Sequence, residues 1–181
     1  HLSIRRQRQM CIRDSLNRVC SYYTSARRRF QPLAGAAANF CDVSRETIDK
    51  LKTYEASLNE WQNKFNLVSS SSLADGWNRH FLDSMQLFQY IPSNARTLYD
   101  LGSGAGFPGM VLAIMAMEKT PYLKVSLIES IGKKTLYLKH VAELTGTKVN
   151  IYNKRIEELP AEKVDVITSV SYTHLTLPTN R

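Results

Sequence analysis

Thr97-Leu-Tyr-Asp-Leu-Gly-Ser-Gly-Ala-Gly-Phe-Pro-Gly109 is the stretch on which the fold turns. A short apolar run, Leu98 to Leu101, carries one acid, Asp100. Glycines follow at 102, 104, 106 and 109, and after Pro108 an apolar run continues to Met117. The pattern predicts a strand, a glycine turn and a helix start. Glycine admits positive φ and lets a ligand approach the backbone closely. The helix N-terminus adds unpaired N–H groups and a partial positive charge. Proline at the first helical position removes a donor that has no partner there anyway. Asp100 speaks against a bare phosphate ligand and for one carrying an ammonium or sulfonium, which a carboxylate attracts. The plain alternative is a tight strand-to-helix turn with no ligand.

Downstream, strands are predicted at 97–101, 123–129, 148–152 and 164–168, and helices at 108–118 and 131–144, with Gly146 as a C-terminal cap. Residues 157–159 read as a short turn. Strands alternating with helices of this length make a parallel α/β sheet, doubly wound. Upstream lie two helices. The first follows Asp42 or Ser44 as N-cap and places Ile48, Leu51, Tyr54, Leu58, Trp61 and Phe65 on one face. The second runs from about Leu73, with Trp77, Phe81, Met85 and Phe88 on one face, and stops at Ile91-Pro92. These aromatic stripes read as core.

The net charge of +8 suggests a nucleic-acid footprint. Its distribution does not. Residues 1–30 hold eight Arg and one Asp, a net of +7; residues 31–181 hold sixteen Lys and Arg and fifteen Asp and Glu, a net of +1. Arg27-Arg-Arg29 is either an RNA-contacting arm or an untethered basic tail. No apolar run reaches transmembrane length. Cys20 and Cys41 have no metal-ligand spacing, so no metal is expected, and reduced thiols in a cytoplasmic protein are.

Both ends stand apart. Arg5 to Asp14 reads RRQRQMCIRD, and Val170 to Thr179 reads VSYTHLTLPT. A single stretch of DNA and its reverse complement can encode the two. They are expected to be translated sequencing adapter, outside the fold. The expected organisation is therefore 1–15 adapter-derived, 16–41 a linker segment, 42–92 helical, 93–169 a partial α/β domain ending after its fourth strand, and 170–181 adapter-derived. The ends are expected to make few specific contacts, leaving the fourth strand at an open edge or beside non-native residues.

Ligands of such sheets sit at the carboxyl ends of the strands. Asp100, Glu129 and Glu157 are expected at that rim, with Glu129 placed to accept both hydroxyls of a ribose. Lys133-Lys134 and Lys154-Arg155 are either phosphate-tracking pairs or solvated faces. Arg79 and Asp83 stand four apart and suit a surface ion pair, and His80 suits a satisfied helix histidine.

Asp100-x-Gly-x-Gly-x-Gly106 resembles the first motif of S-adenosylmethionine-dependent methyltransferases. Further pieces are Glu60-Trp-Gln-Asn-Lys-Phe-Asn-Leu-Val-Ser69, Arg79-His-Phe-Leu-Asp-Ser84, Leu127-Ile-Glu-Ser-Ile-Gly-Lys-Lys134 and Arg155-Ile-Glu-Glu-Leu159. With them, residues 42–169 resemble the bacterial 16S ribosomal RNA guanine-N7 methyltransferase G family, also called glucose-inhibited division protein B. The resemblance implies a Rossmann-like class I methyltransferase fold preceded by a helical segment. It implies S-adenosyl-L-methionine as cofactor, with contacts at Gly102 and Phe107 and, around the adenine, at Ile156 and Glu157; Asp100, Gly104, Gly106 and Glu129 are expected beside them from their places in the loop and at the strand ends. Arg79 and His80 would face the substrate, 16S rRNA of the small ribosomal subunit, and the protein would act as a monomer. The family's Ser-Arg-Ala after the fourth strand is absent here, since Val170 follows Ser169, so by resemblance one cofactor-side arginine is missing and the chain is expected to be a truncated fragment, weakly active or inactive.

Guanine N7 carries a lone pair and no proton, so its methylation needs alignment rather than a general base. No catalytic residue is assigned. Two other classes remain open at this point. Gly104 to Gly109 also fits G-x-G-x-x-G, the fingerprint of a nicotinamide-dependent oxidoreductase. A non-catalytic RNA-binding module is the other, disfavoured by near-neutral charge beyond the N-terminus.

Overall fold

The computed structural model describes residues 9–12, 42–69, 75–160 and 162–169. The rest of both end segments, the Arg27 to Arg29 run and the predicted helix start at Leu73 lie outside the described residues. β1 is Gln9–Ile12, α1 Arg45–Phe65, β2 Thr97–Leu101, α3 Gly109–Lys119, β3 Lys124–Ile128, α4 Gly132–Thr145, β4 Asn150–Tyr152 and β5 Val166–Ser169. Between α1 and β2, residues 77–90 form one helical stretch, α2, wound as π over Trp77–Leu82, as α over Asp83–Met85 and as 3-10 over Gln86–Tyr90.

The sheet runs β1-β5-β2-β3-β4, with β5, β2, β3 and β4 parallel. The chain steps outward from β2 to β4 and then returns to place β5 on the other side of β2. The strand order thus reverses at β2, and an open α/β sheet binds its ligands beside such a switch. β1 pairs antiparallel with β5, from Gln9 against Ser169 to Ile12 against Val166. This departs from the expectation of few contacts for residues 1–15. The physical reason is that β5 without a neighbour presents a row of open N–H and C=O groups, which any extended segment can pair.

Each helix has a local cause. Ser44 caps α1 by accepting from the Thr47 N–H at 3.2 Å. The Glu118 carboxylate, at the end of α3, accepts from the Ser44 N–H and from the Thr47 hydroxyl at 2.6 Å. Those bonds, the Thr47 hydroxyl foremost, hold Glu118 below the usual carboxylate range. At the other end Asn66 takes the left-handed conformation, φ 48°, and the Gln62 amide clamps the Val68 backbone through both its N–H and its C=O. Within Glu60 to Ser69, Gln62 and Asn66 therefore end the helix. Gly146, φ 64°, ends α4 as predicted. Pro108 stands one residue before α3 instead of inside it.

Among the helices, α1 packs on both α3 and α4, and α2 on α3. Consecutive right-handed crossovers from β2 to β3 to β4 put α3 and α4 on the same side of the sheet, and on the opposite face Leu101, Ser126 and Ile128 are buried as well. Leu98, Val125, Leu127, Met110, Ile114, Leu138 and Val141 fill the space between sheet and helices. Leu51, Tyr54 and Leu58 of the α1 stripe are fully buried there, while Ile48, Trp61 and Phe65 are partly buried at its margin.

Asp165, just before β5, fixes the start of β2. Its Oδ2 accepts from the N–H groups of Arg96 and Thr97 and from the Thr97 hydroxyl, at 2.8 to 3.0 Å, and the Arg96 N–H foremost draws its carboxyl below the usual range. Asp165→Ala is expected to lower stability by about 1 kcal/mol near neutral pH, the scale of a lost cap. A lowered folded value gives stability present above the ordinary carboxylate range and lost as pH falls through the folded one. The difference between the two proteins, measured by urea unfolding, should therefore vanish in acid.

Candidate functional site

The loop after β2 is built on three left-handed glycines, with φ of 71° at Gly102, 59° at Gly104 and 101° at Gly106. The Gly102 and Ser103 N–H groups both donate to the Ile128 carbonyl, which ties the loop to the end of β3. A Cβ on Gly104 would find nothing nearer than 3.8 Å, so there the demand is conformational and the outer side is open. A Cβ on Gly106 would lie 2.4 Å from the Tyr54 hydroxyl, so there the demand is space as well.

Glu129, one residue past β3, is buried at this rim. Its Oε2 accepts from the Gly104 N–H at 2.8 Å and its Oε1 from the Ile131 N–H at 2.8 Å. Each carboxylate oxygen keeps a further lone pair. Asn153, after β4, donates its side-chain N–H to the carbonyls of Glu129 and Ser130, both at 3.0 Å. The 3-10 turn Ile156–Glu158 follows, with Ile156 half-buried and Glu157 exposed. Glu129 and the glycines meet directly; Ile156 and Glu157 stand further along the same rim.

Asp100 requires a correction. It does not reach the rim but lies fully buried beneath the loop. Its Oδ1 accepts from the Thr168 hydroxyl at 2.7 Å and its Oδ2 from the Gly109 N–H at 3.3 Å. The register explains this, since Asp100 sits opposite Thr168 and points to the face covered by α3. Gly109 makes room: a Cβ there would come within 2.6 Å of Asp100 and 2.4 Å of Leu127. Burial pushes the Asp100 carboxyl up to about 6, against the pull of the Thr168 and Gly109 hydrogen bonds, and the nearby Glu129 charge raises it further.

Phe107 is likewise interior. It stacks on Tyr54 at 5.3 Å and on His80 at 4.8 Å, and meets Phe81 edge-on at 5.1 Å. His80 is thereby brought against the glycine loop, while its carbonyl accepts from the Ser84 hydroxyl. Arg79 stays exposed, its Nε 3.7 Å from the Asp75 carboxylate. The sequence reading missed Tyr54 and Thr168. Tyr54 stood in the core stripe, where the signal was its hydroxyl, since a buried tyrosine needs a hydrogen-bond partner. Among the described residues no group of three or more metal-ligating side chains occurs, and no helix is long and apolar enough to cross a membrane.

Comparison with known proteins bears on this arrangement. The family model GidB, rRNA small subunit methyltransferase G, matches residues 47–179, ten residues beyond the boundary expected at 169. The ribosomal RNA small subunit methyltransferase G of Rhodospirillum centenum is 54% identical over 104 residues, which are 58% of this chain and 46% of that protein. The protein of the same name from Rhodospirillum rubrum is 45% identical over 133 residues, 74% of this chain and 64% of the relative. A solved structure, the plantazolicin methyltransferase BpumL in complex with SAH, covers 64% of this chain and 46% of its own, at 16% identity and a TM-score of 0.34. The chain thus spans about half to two thirds of the length of these curated relatives. With the family model matched over residues 47–179, most of this chain, the chain belongs to the GidB family, rRNA small subunit methyltransferase G.

Proposed function

We propose that the chain serves S-adenosyl-L-methionine-dependent methylation of guanine N7 in 16S rRNA of the small ribosomal subunit, in the cytoplasm and as a monomer. The single observation that carries the reading is Glu129 hydrogen-bonded to the Gly104 N–H at the strand switch, in a chain of this family. The fit to the cofactor rests on geometry. Glu129 offers two carboxylate oxygens beside a backbone that only glycine can shape, and the outer side of Gly104 is open. The nicotinamide alternative is left without support by the family match.

In this reading the Gly102, Gly104 and Gly106 backbone lies along the cofactor and Glu129 accepts from its ribose hydroxyls. Ile156 and Glu157 border the adenine. Asp100 and Phe107 act from beneath, holding the loop in shape. Arg79 and His80 stand on the RNA side, His80 fixed by its stack on Phe107. When bound, S-adenosylmethionine supplies an electrophilic methyl group. The chain's own residues align the acceptor and need move no proton, because N7 is unprotonated. The helical segment 42–92 and the sheet segment 93–169 act as one unit in this proposal, joined by the packing of α1 and α2 on α3.

The test is to incubate the protein with 16S rRNA and the cofactor, then treat the RNA with borohydride and aniline. Cleavage is expected at one guanine. Arg79→Ala should slow transfer about tenfold, the worth of one hydrogen bond to a charged group, with affinity for S-adenosylhomocysteine essentially unchanged. A methyl mapped to an exocyclic amine or a 2′-hydroxyl would overturn the assignment.

A further inference from the structure

The helix that precedes the sheet reaches into the glycine loop at one point. Tyr54, in the third turn of α1, is fully buried and donates its hydroxyl hydrogen bond to the Ala105 carbonyl, at the apex of the loop. The contact is possible only because residue 106 has no side chain, since a Cβ there would lie 2.4 Å from the same hydroxyl oxygen. The Tyr54 ring also stacks on Phe107, 5.3 Å away and inclined by 11°, and Phe107 stacks in turn on His80. Phe81 meets both Tyr54 and Phe107 edge-on. Tyr54 thus holds two successive parts of the loop, a carbonyl and a ring, from an element remote in sequence.

We propose that Tyr54 is a positioning residue for the cofactor loop. By fixing the Ala105 carbonyl inward and the Phe107 ring flat, it holds the Gly104 N–H where Glu129 receives it, and it sets the face on which His80 rests. The inference builds on the methyltransferase reading of the site. It adds that the N-terminal helical segment is part of the binding machinery as well as a cover for the sheet. Packing alone does not require the hydroxyl, because phenylalanine fills nearly the same volume. Loop positioning does require it, because without it a buried carbonyl loses its donor.

The experiment compares Tyr54→Phe with the unchanged chain and with Tyr137→Phe. Tyr137 lies in the same aromatic cluster, 6.4 Å from Tyr54 ring to ring, and its hydroxyl faces Ser57 of α1 and makes no hydrogen bond to the glycine loop. Calorimetry with S-adenosylhomocysteine is expected to show an affinity about tenfold weaker in Tyr54→Phe, the scale of one lost buried hydrogen bond. Tyr137→Phe should bind as the unchanged chain does. Amide exchange in the absence of ligand supplies the second reading. Gly104 and Gly106 should exchange faster in Tyr54→Phe, while the core amides Leu112 to Ala116 keep their protection. If the unchanged chain does not bind S-adenosylhomocysteine, the methyltransferase reading falls and this inference with it. If it binds, and Tyr54→Phe binds within twofold of it or shows the same loop exchange, the inference alone is overturned.

Discussion

Replacing Glu129 by alanine is expected to weaken binding of S-adenosylhomocysteine by about 1–3 kcal/mol, a factor of roughly 5 to 150, while leaving the fold nearly as stable as before. The two halves of this expectation have separate causes. In the folded protein Glu129 satisfies the N–H groups of Gly104 and Ile131. Gly104 is only partly buried and Ile131 is exposed, so water can take over both donors when the carboxylate is removed. A bound ribose leaves no such freedom. Its hydroxyls would be enclosed at the rim without the acceptor built to receive them, and an unpaired enclosed donor costs its full desolvation. Calorimetry on the two proteins gives the affinity, and urea unfolding the stability. Equal affinities would remove Glu129 from the site. A loss of stability as large as the loss of affinity would make it a fold residue only.

The same carboxylate shows how much of the site is legible in the sequence. Glu129 was placed from the chain because it ends a strand at a countable distance from the glycines, and strand ends are where an α/β sheet binds. The cap at Ser44, the left-handed Gly146 and the stripe from Leu51 to Leu58 were legible for a similar reason, since each is a local rule written in neighbouring residues. Asp100 was not. Alternation puts it on the same face as Leu98, but which face α3 covers is decided by the handedness of the crossover and by the missing side chain at Gly109. Phe107 was placed on the cofactor side by resemblance, whereas its ring is claimed by Tyr54, His80 and Phe81, which come from two elements distant in sequence. The π winding of Trp77–Leu82 shifts the helical phase, which a count in threes and fours cannot register. The pairing of β1 with β5 answers an open edge and carries no pattern of its own.

Asp100 also gives the largest expected effect on stability, and it is an effect of pH. The carboxyl is buried under the glycine loop, and burial raises it from an ordinary 3.8 to about 6 in the folded protein. The unfolded chain keeps the ordinary value. Between those two values the folded state binds a proton that the unfolded state does not, so stability falls as pH rises. The contribution is fully present below the unfolded value and lost above the folded one. A span from 3.8 to about 6 corresponds to about 3 kcal/mol. Asp100→Asn removes the titration and keeps the shape. Its amide oxygen can still accept from the Gly109 N–H, and its amide N–H can donate to the Thr168 hydroxyl oxygen. The stability of the original chain relative to Asp100→Asn is therefore expected to drop by about 3 kcal/mol between pH 3.5 and pH 7. Subtracting the two unfolding curves cancels the opposite acid dependence of Glu118 and Asp165, whose carboxyls are lowered in the fold. A difference that stays flat over this range, or rises with pH, would mean that the Thr168 and Gly109 hydrogen bonds outweigh burial. Asp100 would then be an ionised anchor of the loop throughout.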